Sequence, residues 1–465
     1  MRELAAGQDQ WHSTSGLTFS PDDRRLVSDY PLAVWDLETG ALTFTLSSAT
    51  RPSTALAFSP EGARLAVATT DEAVPDAGGY GNSDGKVVLW SLADGTAPRV
   101  VASHENTIRG LAFTPDGGHI IAGSADASVS ARSSGQEGAV RLWDVASGEV
   151  AVALASFDAE SSSTGVAVSP DGRLLAAVVL PFAPSKPSHS GISAFTNASY
   201  RAVLRLWDAA TGKPLREIHV GSDTAVGLAM SGDGARIAVL SGRDVLVWST
   251  RTGRPVNRIP IEAPTANVNL QAHGNEELTA AAWLPDNRRL VVSGGRGVLG
   301  IWDVLTSIAV NRFDGVSADV KAIAVDPTGR YIAAGDCDGL LRVWAAPRWH
   351  LAFTRAAHQG CVTAVAFGPS GQLASSGEDG VTRLWDETGN WRAAIATVRN
   401  TDDWLVIGPD GRYDGTATGE RTAIAFRQST SAWSPEQFAG RCGPPICCPA
   451  ERATPATALP PCLGL

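Results

Sequence analysis

Between Cys361 and Asp386 the chain reads CVTAVAFGPSGQLASSGEDGVTRLWD. Apolar residues alternate with small or polar ones through VTAVAF, the period-two pattern of a strand buried on one face. GPSG then predicts a tight turn, QLASSG a second strand, EDG another turn, and VTRLWD a third strand. After ETG, the run NWRAAIATV predicts a fourth. Four short antiparallel strands in about 40 residues cannot bury their faces alone, so the pattern demands neighbours of the same kind.

The neighbours are present. Trp recurs at positions 35, 90, 143, 207, 248, 302, 344 and 385, and Asp follows it at Asp36, Asp144, Asp208, Asp303 and Asp386. The gaps between these Trp are 55, 53, 64, 41, 54, 42 and 41 residues. The first turn recurs as Ser20-Pro21-Asp22-Asp23, Ser59-Pro60-Glu61-Gly62, Thr114-Pro115-Asp116-Gly117 and Ser169-Pro170-Asp171-Gly172. Pro presets φ and Asp or Gly tolerates the tight positions, so each copy carries its own turn mechanism. Across residues 14–398 the chain resembles the WD40 (WD-repeat) family. That resemblance implies an all-β fold, a WD40-type β-propeller of four-stranded antiparallel blades. The repeat count favours eight blades, with seven as the alternative if the diverged first copy does not close the ring.

The resemblance also implies a hydrogen-bonded set in the eighth repeat: His358, Ser376 or its neighbour Ser375, Asp379 and Trp385. The carboxylate would fix the imidazole, the hydroxyl would bridge, and the indole N–H would gain a buried acceptor. Elsewhere the set is incomplete. Asp84 and Asp338 stand six residues before Trp90 and Trp344 without a matching His, while His104 and His273 face Glu137 and Arg296 in the Asp position. Blade stability should therefore rest mainly on apolar packing.

Four segments lengthen the repeats. Asp71–Ser83, Ala125–Gln136 and Pro181–Tyr200 fall between second and third strands, and Pro260–Glu277 falls before a first strand. In a propeller these two connections emerge on the same face. Loops on a rigid scaffold can vary without disturbing the strand ladders, so that face is expected to bind. Tyr80, Phe182, Phe195 and Tyr200 within the insertions suit interface anchors; local packing onto their own blades is the competing reading.

The flanks differ from the array. Residues 1–13 contain a short strand pattern at Arg2–Ala6 that reads either as a closing strand paired with the last blade or as a frayed end. The propeller is expected over 14–400. Residues 401–428 form a further segment, DDWLVIGPDGRYDGTATGERTAIAFR, similar to one that follows WD-repeat arrays in bacterial proteins, some joined to caspase-like peptidases. Residues 429–465 are expected to be disordered, and from Arg441 on they are Pro- and Ala-rich without periodicity.

Charge and composition narrow the function. With 48 acidic against 38 basic residues the formal charge is −10, which disfavours a phosphate-neutralising, nucleic-acid partner. No 18-residue apolar run and no N-terminal apolar h-region is present, so the expectation is a cytoplasmic protein without a membrane anchor. Cys337 and Cys361 read as ordinary thiols in the repeats. Cys442, Cys447, Cys448 and Cys462 crowd the end without a CxxC pair, a weak basis for zinc.

The apparent catalytic strings fail on inspection. Gly295–Gly300 satisfies GxGxxG but bridges two strands, where a dinucleotide site needs a strand and then a helix. His104-Glu105 begins HExxH, yet Ile108 occupies the second ligand position, and no GxSxG is present. The expectation is no enzyme activity, no cofactor and no metal. Three functions are weighed: a protein-interaction scaffold, a regulatory or sensor module of a signalling or caspase-like peptidase system, and, behind both, a small-molecule-binding propeller enzyme.

Overall fold

A hydroxyl and a carboxylate set the first hairpin of most blades. Ser20 Oγ donates to Asp22 Oδ1 at 2.5 Å and accepts the Arg25 N–H at 2.9 Å, closing the turn from inside. Thr114 with Asp116, Ser169 with Asp171 and Ser231 with Asp233 repeat the pairing at 2.6, 2.5 and 2.5 Å. Blade seven exchanges the partners: Asp326 holds the hydroxyl's place, Thr328 Oγ1 donates to it, and it accepts the Arg330 N–H at 3.0 Å. Where Asp follows the Trp, it sets the third-to-fourth-strand turn in several blades. Asp208 Oδ1 accepts the Thr211 N–H and hydroxyl at 2.8 and 2.6 Å, and Asp386 Oδ1 does the same for Thr388 at 2.9 and 2.7 Å. A side-chain acceptor in each turn lets the backbone reverse without orphaning its N–H groups.

The computed structural model describes residues 2–4, 16–29, 32–38, 42–45, 55–70, 85–92, 98–104, 107–124, 140–155, 161–181, 202–220, 225–261, 278–397, 404–409, 413–415, 424–428 and 431–433. Among them all regular structure is β-strand. Eight sheets begin with four consecutive antiparallel strands each, over 17–45, 55–104, 108–155, 161–219, 225–260, 278–312, 320–356 and 362–397. The fold is an eight-bladed β-propeller, all-β, as the repeat count predicts. The chain forms two compact units: Ser53–Val320, holding blades two to six, and Met1–Pro52 with Lys321–Leu465, holding blades one, seven and eight.

In six blades the Trp packs against the blade before it. Trp143 packs with Ala66, Ala68 and Leu89 of blade two; Trp207 with Ile121 and Leu142 of blade three; Trp248 with Ala176 and Leu204 of blade four. Trp302 packs with Ala238 and Val247 of blade five, and Trp385 with Ala333 and Val343 of blade seven. In the unit of blades one, seven and eight, Trp35 of blade one packs with Ala374, Leu384 and Ala393 of blade eight, so the first and last repeats follow the same rule. Asp23 reinforces that contact by accepting the Ser370 N–H.

At the outer strands a second contact recurs, made by the residue nine after the Trp. Arg99 donates to the carbonyls of Val145 and Ala146, Arg216 to that of Arg251 at 2.7 Å, and Asn257 to those of Val304 and Leu305, both at 3.1 Å. Val152 and Phe353 make it with apolar atoms, against Gly212 and Gly389. In every case the target is the third-to-fourth-strand turn of the next blade.

Blade eight is extended outward. Trp404–Ile407 pairs with its fourth strand, and Tyr413–Gly415 pairs with Trp404–Ile407, giving six strands in order. Arg2–Leu4 pairs with Ile424–Gln428 in a separate three-stranded sheet, not with blade eight, whose edge is already occupied.

The rim contact gives a direct test. Gly212 has φ +65° and a Cβ there would lie 2.0 Å from Val152 Cγ1, whereas Gly315, at φ +79°, has nothing within 4 Å of a Cβ. Gly315→Ala should cost only the left-handed backbone penalty, about 1–2 kcal/mol. Gly212→Ala adds overpacking, for about 2–5 kcal/mol in total. Adding Val152→Ala should return the second variant towards the first. Equal melting temperatures for the two Gly variants would show that the blades do not meet at this contact.

Candidate functional site

The buried polar set of blade eight is built by one continuous stretch, residues 358–385. His358 enters on the link from blade seven, Ser375 lies in the second strand, Asp379 sits in the following turn, and Trp385 ends the third strand. His358 Nδ1 is 2.8 Å from Asp379 Oδ1 and its Nε2 is 2.8 Å from Ser375 Oγ. Trp385 Nε1–H donates to Ser375 Oγ at 2.9 Å. The carboxylate can only accept, so Nδ1 carries the proton and Nε2 accepts from the serine hydroxyl, which in turn accepts from the indole. Every polar atom of the relay thus has a role.

The hydroxyl is Ser375 and not Ser376. Leu373 faces Trp385 across the ladder, and residues two apart share a face, so residue 375 lies on the indole's side. Ser376 is also fully buried, and its Oγ has no hydrogen-bond partner among the described residues. Arg383 adds a member absent from the sequence reading. Its Nη1 is 3.0 Å from Asp379 Oδ2 and 3.0 Å from His358 Nδ1. With the Nδ1 proton pointing to Asp379, the guanidinium is an ion-pair partner of the carboxylate and repels any positive charge on the ring.

Electrostatics follow from burial. Burial depresses the His358 pKa and outweighs the Asp379 carboxylate, which favours the imidazolium; Arg383 pushes the same way as burial. Burial opposes ionisation of Asp379, yet His358, Arg383 and the Val381 N–H together hold its carboxyl below the usual range. Serine, histidine and aspartate here have the connectivity of a nucleophilic triad. The His358 side chain is 0% exposed and Ser375 likewise, and the serine lone pair is occupied by an indole N–H, so no substrate reaches it. The set is a structural staple.

The other blades show how its absence is met. In blade seven Asp336, not Asp338, is the buried carboxylate; it accepts the N–H groups of Asp338 and Leu340 at 3.0 Å each and pairs with Arg342. In blade six Arg296 occupies a left-handed turn at φ 55° and donates its N–H to Asp319 at 2.8 Å. Gly295–Gly300 is accordingly a strand-to-strand turn. Among the described residues no group of three or more His, Cys, Asp and Glu is placed to hold a metal ion.

The loop end of the blades is the second candidate. Tyr80, Phe182, Phe195 and Tyr200 lie outside the described residues, as do Asp84, Glu137 and His273. Their anchoring strand ends are described. Long connections run from Thr70 to Gly85, Ser124 to Val140, Pro181 to Val203 and Pro260 to Leu278, all in the unit formed by blades two to six. Each is a second-to-third or fourth-to-first connection, so each leaves its blade at the same end. Sequence reasoning missed one feature near that end of blade seven: Cys337 and Cys361 are joined, with Sγ–Sγ 2.07 Å.

The WD domain, G-beta repeat family matches residues 95–144, 265–303, 308–345 and 349–386. Those four segments, about a third of the chain, match WD40 repeats. WD repeat-containing protein 90 of Homo sapiens is 25% identical over 372 residues, 78% of this chain and 19% of that protein. THO complex subunit 3 of Arabidopsis thaliana is 28% identical over 199 residues, 42% and 57% of the two chains. Cilia- and flagella-associated protein 52 of Chlamydomonas reinhardtii is 32% identical over 114 residues, 24% and 18%. The matches therefore span from about a fifth to just over half of these relatives' lengths. The crystal structure of a computationally designed protein, Ika8, aligns with TM-score 0.56 at 19% identity, over 83% of this chain and 99% of that one. That likeness concerns the fold alone.

Two measurements test the staple. Ser375→Ala removes two buried hydrogen bonds and should cost about 1–3 kcal/mol, while Ser376→Ala removes an unpartnered hydroxyl and should be neutral or stabilising. The reverse order would exchange their roles.

The pH dependence carries a defined sign. The folded His358 pKa lies below its unfolded value of about 6.5, so its contribution is full above pH 6.5 and is lost as pH falls towards the folded value. Hydrogen bonds from Thr114 and Ser169, and from the N–H groups of Gly118 and Arg173, hold Asp116 and Asp171 below the carboxylate range. Their contribution and that of Asp379 are present above about pH 4 and lost below it. Unfolding followed against pH should show both declines. His358→Gln should abolish the upper one and spare the lower; an unaltered upper decline would assign it to another group.

Proposed function

We propose that this protein is a non-catalytic interaction scaffold that binds protein partners through the loops at one end of its blades. The observation that carries this reading is the one-sided placement of the long connections. All four leave the same end of blades two to six, while the opposite ends close in short turns pinned by Ser, Thr and Asp side chains. Such turns leave little backbone to vary, whereas a second-to-third-strand insertion lengthens without altering a single ladder pair. The likeness to a protein named as a complex subunit supports a partner of protein class. Tyr80, Phe182, Phe195 and Tyr200 are the proposed anchors, since aromatic side chains bury large area at low entropic cost.

The test replaces residues 71–84, 125–139 and 182–201 together with short Gly-containing turns. The variant should still melt cooperatively, because the replaced residues lie outside the strand pairs. Pull-downs from native lysate with variant and parent, compared by quantitative mass spectrometry, should lose the principal partner. Retention of every partner by a cooperatively folded variant would move binding to the opposite end or the rim.

A further inference from the structure

Cys337 and Cys361 are separated by 24 positions and belong to different blades. Cys337 lies in the turn after the second strand of blade seven; Cys361 immediately precedes the first strand of blade eight. Their sulfurs are 2.07 Å apart, bonded, and the backbones approach more closely than in most disulfides, with Cα–Cα 3.7 Å against roughly 4.4–6.8 Å. Both residues are half-buried, and their neighbours Asp338, Gln359 and Gly360 are exposed, so a small thiol can reach the bond.

The bond sits beside the staple. Gly339 O accepts the N–H groups of Ala357 and His358 at 2.8 and 3.1 Å, which seats the blade-seven turn on the segment carrying His358. Cys361 N–H donates to Glu378 Oε2 at 3.0 Å and its carbonyl accepts the Glu378 N–H at 3.0 Å, one residue before Asp379. The loop closed by the bond contains the third and fourth strands of blade seven and the entry to blade eight. Opening it releases a covalent restraint on that entry while every strand ladder stays intact.

We propose that Cys337–Cys361 is a reversible thiol–disulfide exchange site that latches blade seven to blade eight. The reductant is a small-molecule thiol, two molecules per turnover. The thiolate of the first attacks one sulfur; the S–S bond breaks, a mixed disulfide forms, and the other Cys leaves as a thiolate that takes up a proton. The second thiol resolves the mixed disulfide, freeing the remaining Cys as a thiol and leaving the small molecule as its own disulfide. Two electrons pass to the protein, and the reverse reaction uses that small-molecule disulfide as oxidant.

The experiment uses the full chain, purified without reductant, exposed to reduced or oxidised glutathione and then alkylated. Cleavage after Arg and Lys places Cys337 on the peptide 331–342 and Cys361 on 356–383, apart from the four C-terminal cysteines. The oxidised sample should contain the two peptides joined, two hydrogens lighter than their sum. Reduced glutathione should convert them to separately alkylated peptides, and oxidised glutathione should restore the joined form. Reduction should also lower the Tm by a few degrees and speed hydrogen exchange at the Ala357, His358 and Glu378 amides. The double variant Cys337→Ser, Cys361→Ser should show neither response. Two alkylated peptides persisting in oxidised glutathione, or either cysteine joined to a C-terminal one, would overturn the proposal. A joined pair whose reduction leaves exchange at those amides unchanged would overturn its role as a latch.

Discussion

The whole array depends on one contact, the Trp of a blade buried against the sheet before it. A four-stranded blade has two apolar faces and can satisfy neither alone. The indole closes the gap by covering small residues of the neighbour: Ala66 and Ala68 under Trp143, Ala176 under Trp248, Ala374 under Trp35. Large against small across the boundary is what close packing of two twisted sheets requires. Trp35 and Trp207 are almost fully buried, at 1% exposure each, so a smaller residue in either place would leave a cavity.

Around that apolar layer the polar groups divide into local and inter-blade work. Turn carboxylates act within a hairpin, and the pairing tolerates reversal, as Asp326 and Thr328 show, because only one hydroxyl and one acceptor are needed. The residue nine after the Trp acts between blades, and its chemistry is freer still. Arg99, Arg216 and Asn257 use carbonyls of the next turn, while Val152 and Phe353 use its glycine. The common demand is contact with a turn whose last residues bend into the left-handed region, as Gly212, Gly253 and Gly389 do.

Much of this was legible from residue order, and the failures have physical reasons. Blade number and strand order follow from Trp spacing and period-two alternation, since both are local. Choosing between Ser375 and Ser376 requires the register that sets Leu373 opposite Trp385, because adjacent residues in a strand face opposite ways. The Cys337–Cys361 bond needs the neighbour relation between two blades, which no single repeat contains. The N-terminal segment reads as either a closing strand or a frayed end; Arg2–Leu4 pairs with Ile424–Gln428, while Trp404–Ile407 covers the edge of blade eight.

That covering strand bears on how the array can bind. An outer strand presents unpaired N–H and C=O groups, a ready template for another strand. Blade eight fills its own template with two strands of the same chain, which removes that edge as a docking site. On blade six the outer strand is short, Ala309–Arg312; Ile308 just before it and Val310 within it stand 65% and 46% exposed. Shortness limits what such an edge can hold, since few ladder bonds are on offer. In blades two to six, turns that are pinned leave the second-to-third and fourth-to-first connections as the parts of the unit freest to differ. A surface that must recognise a particular partner has to differ somewhere, and in blades two to six the ladders permit it at that end.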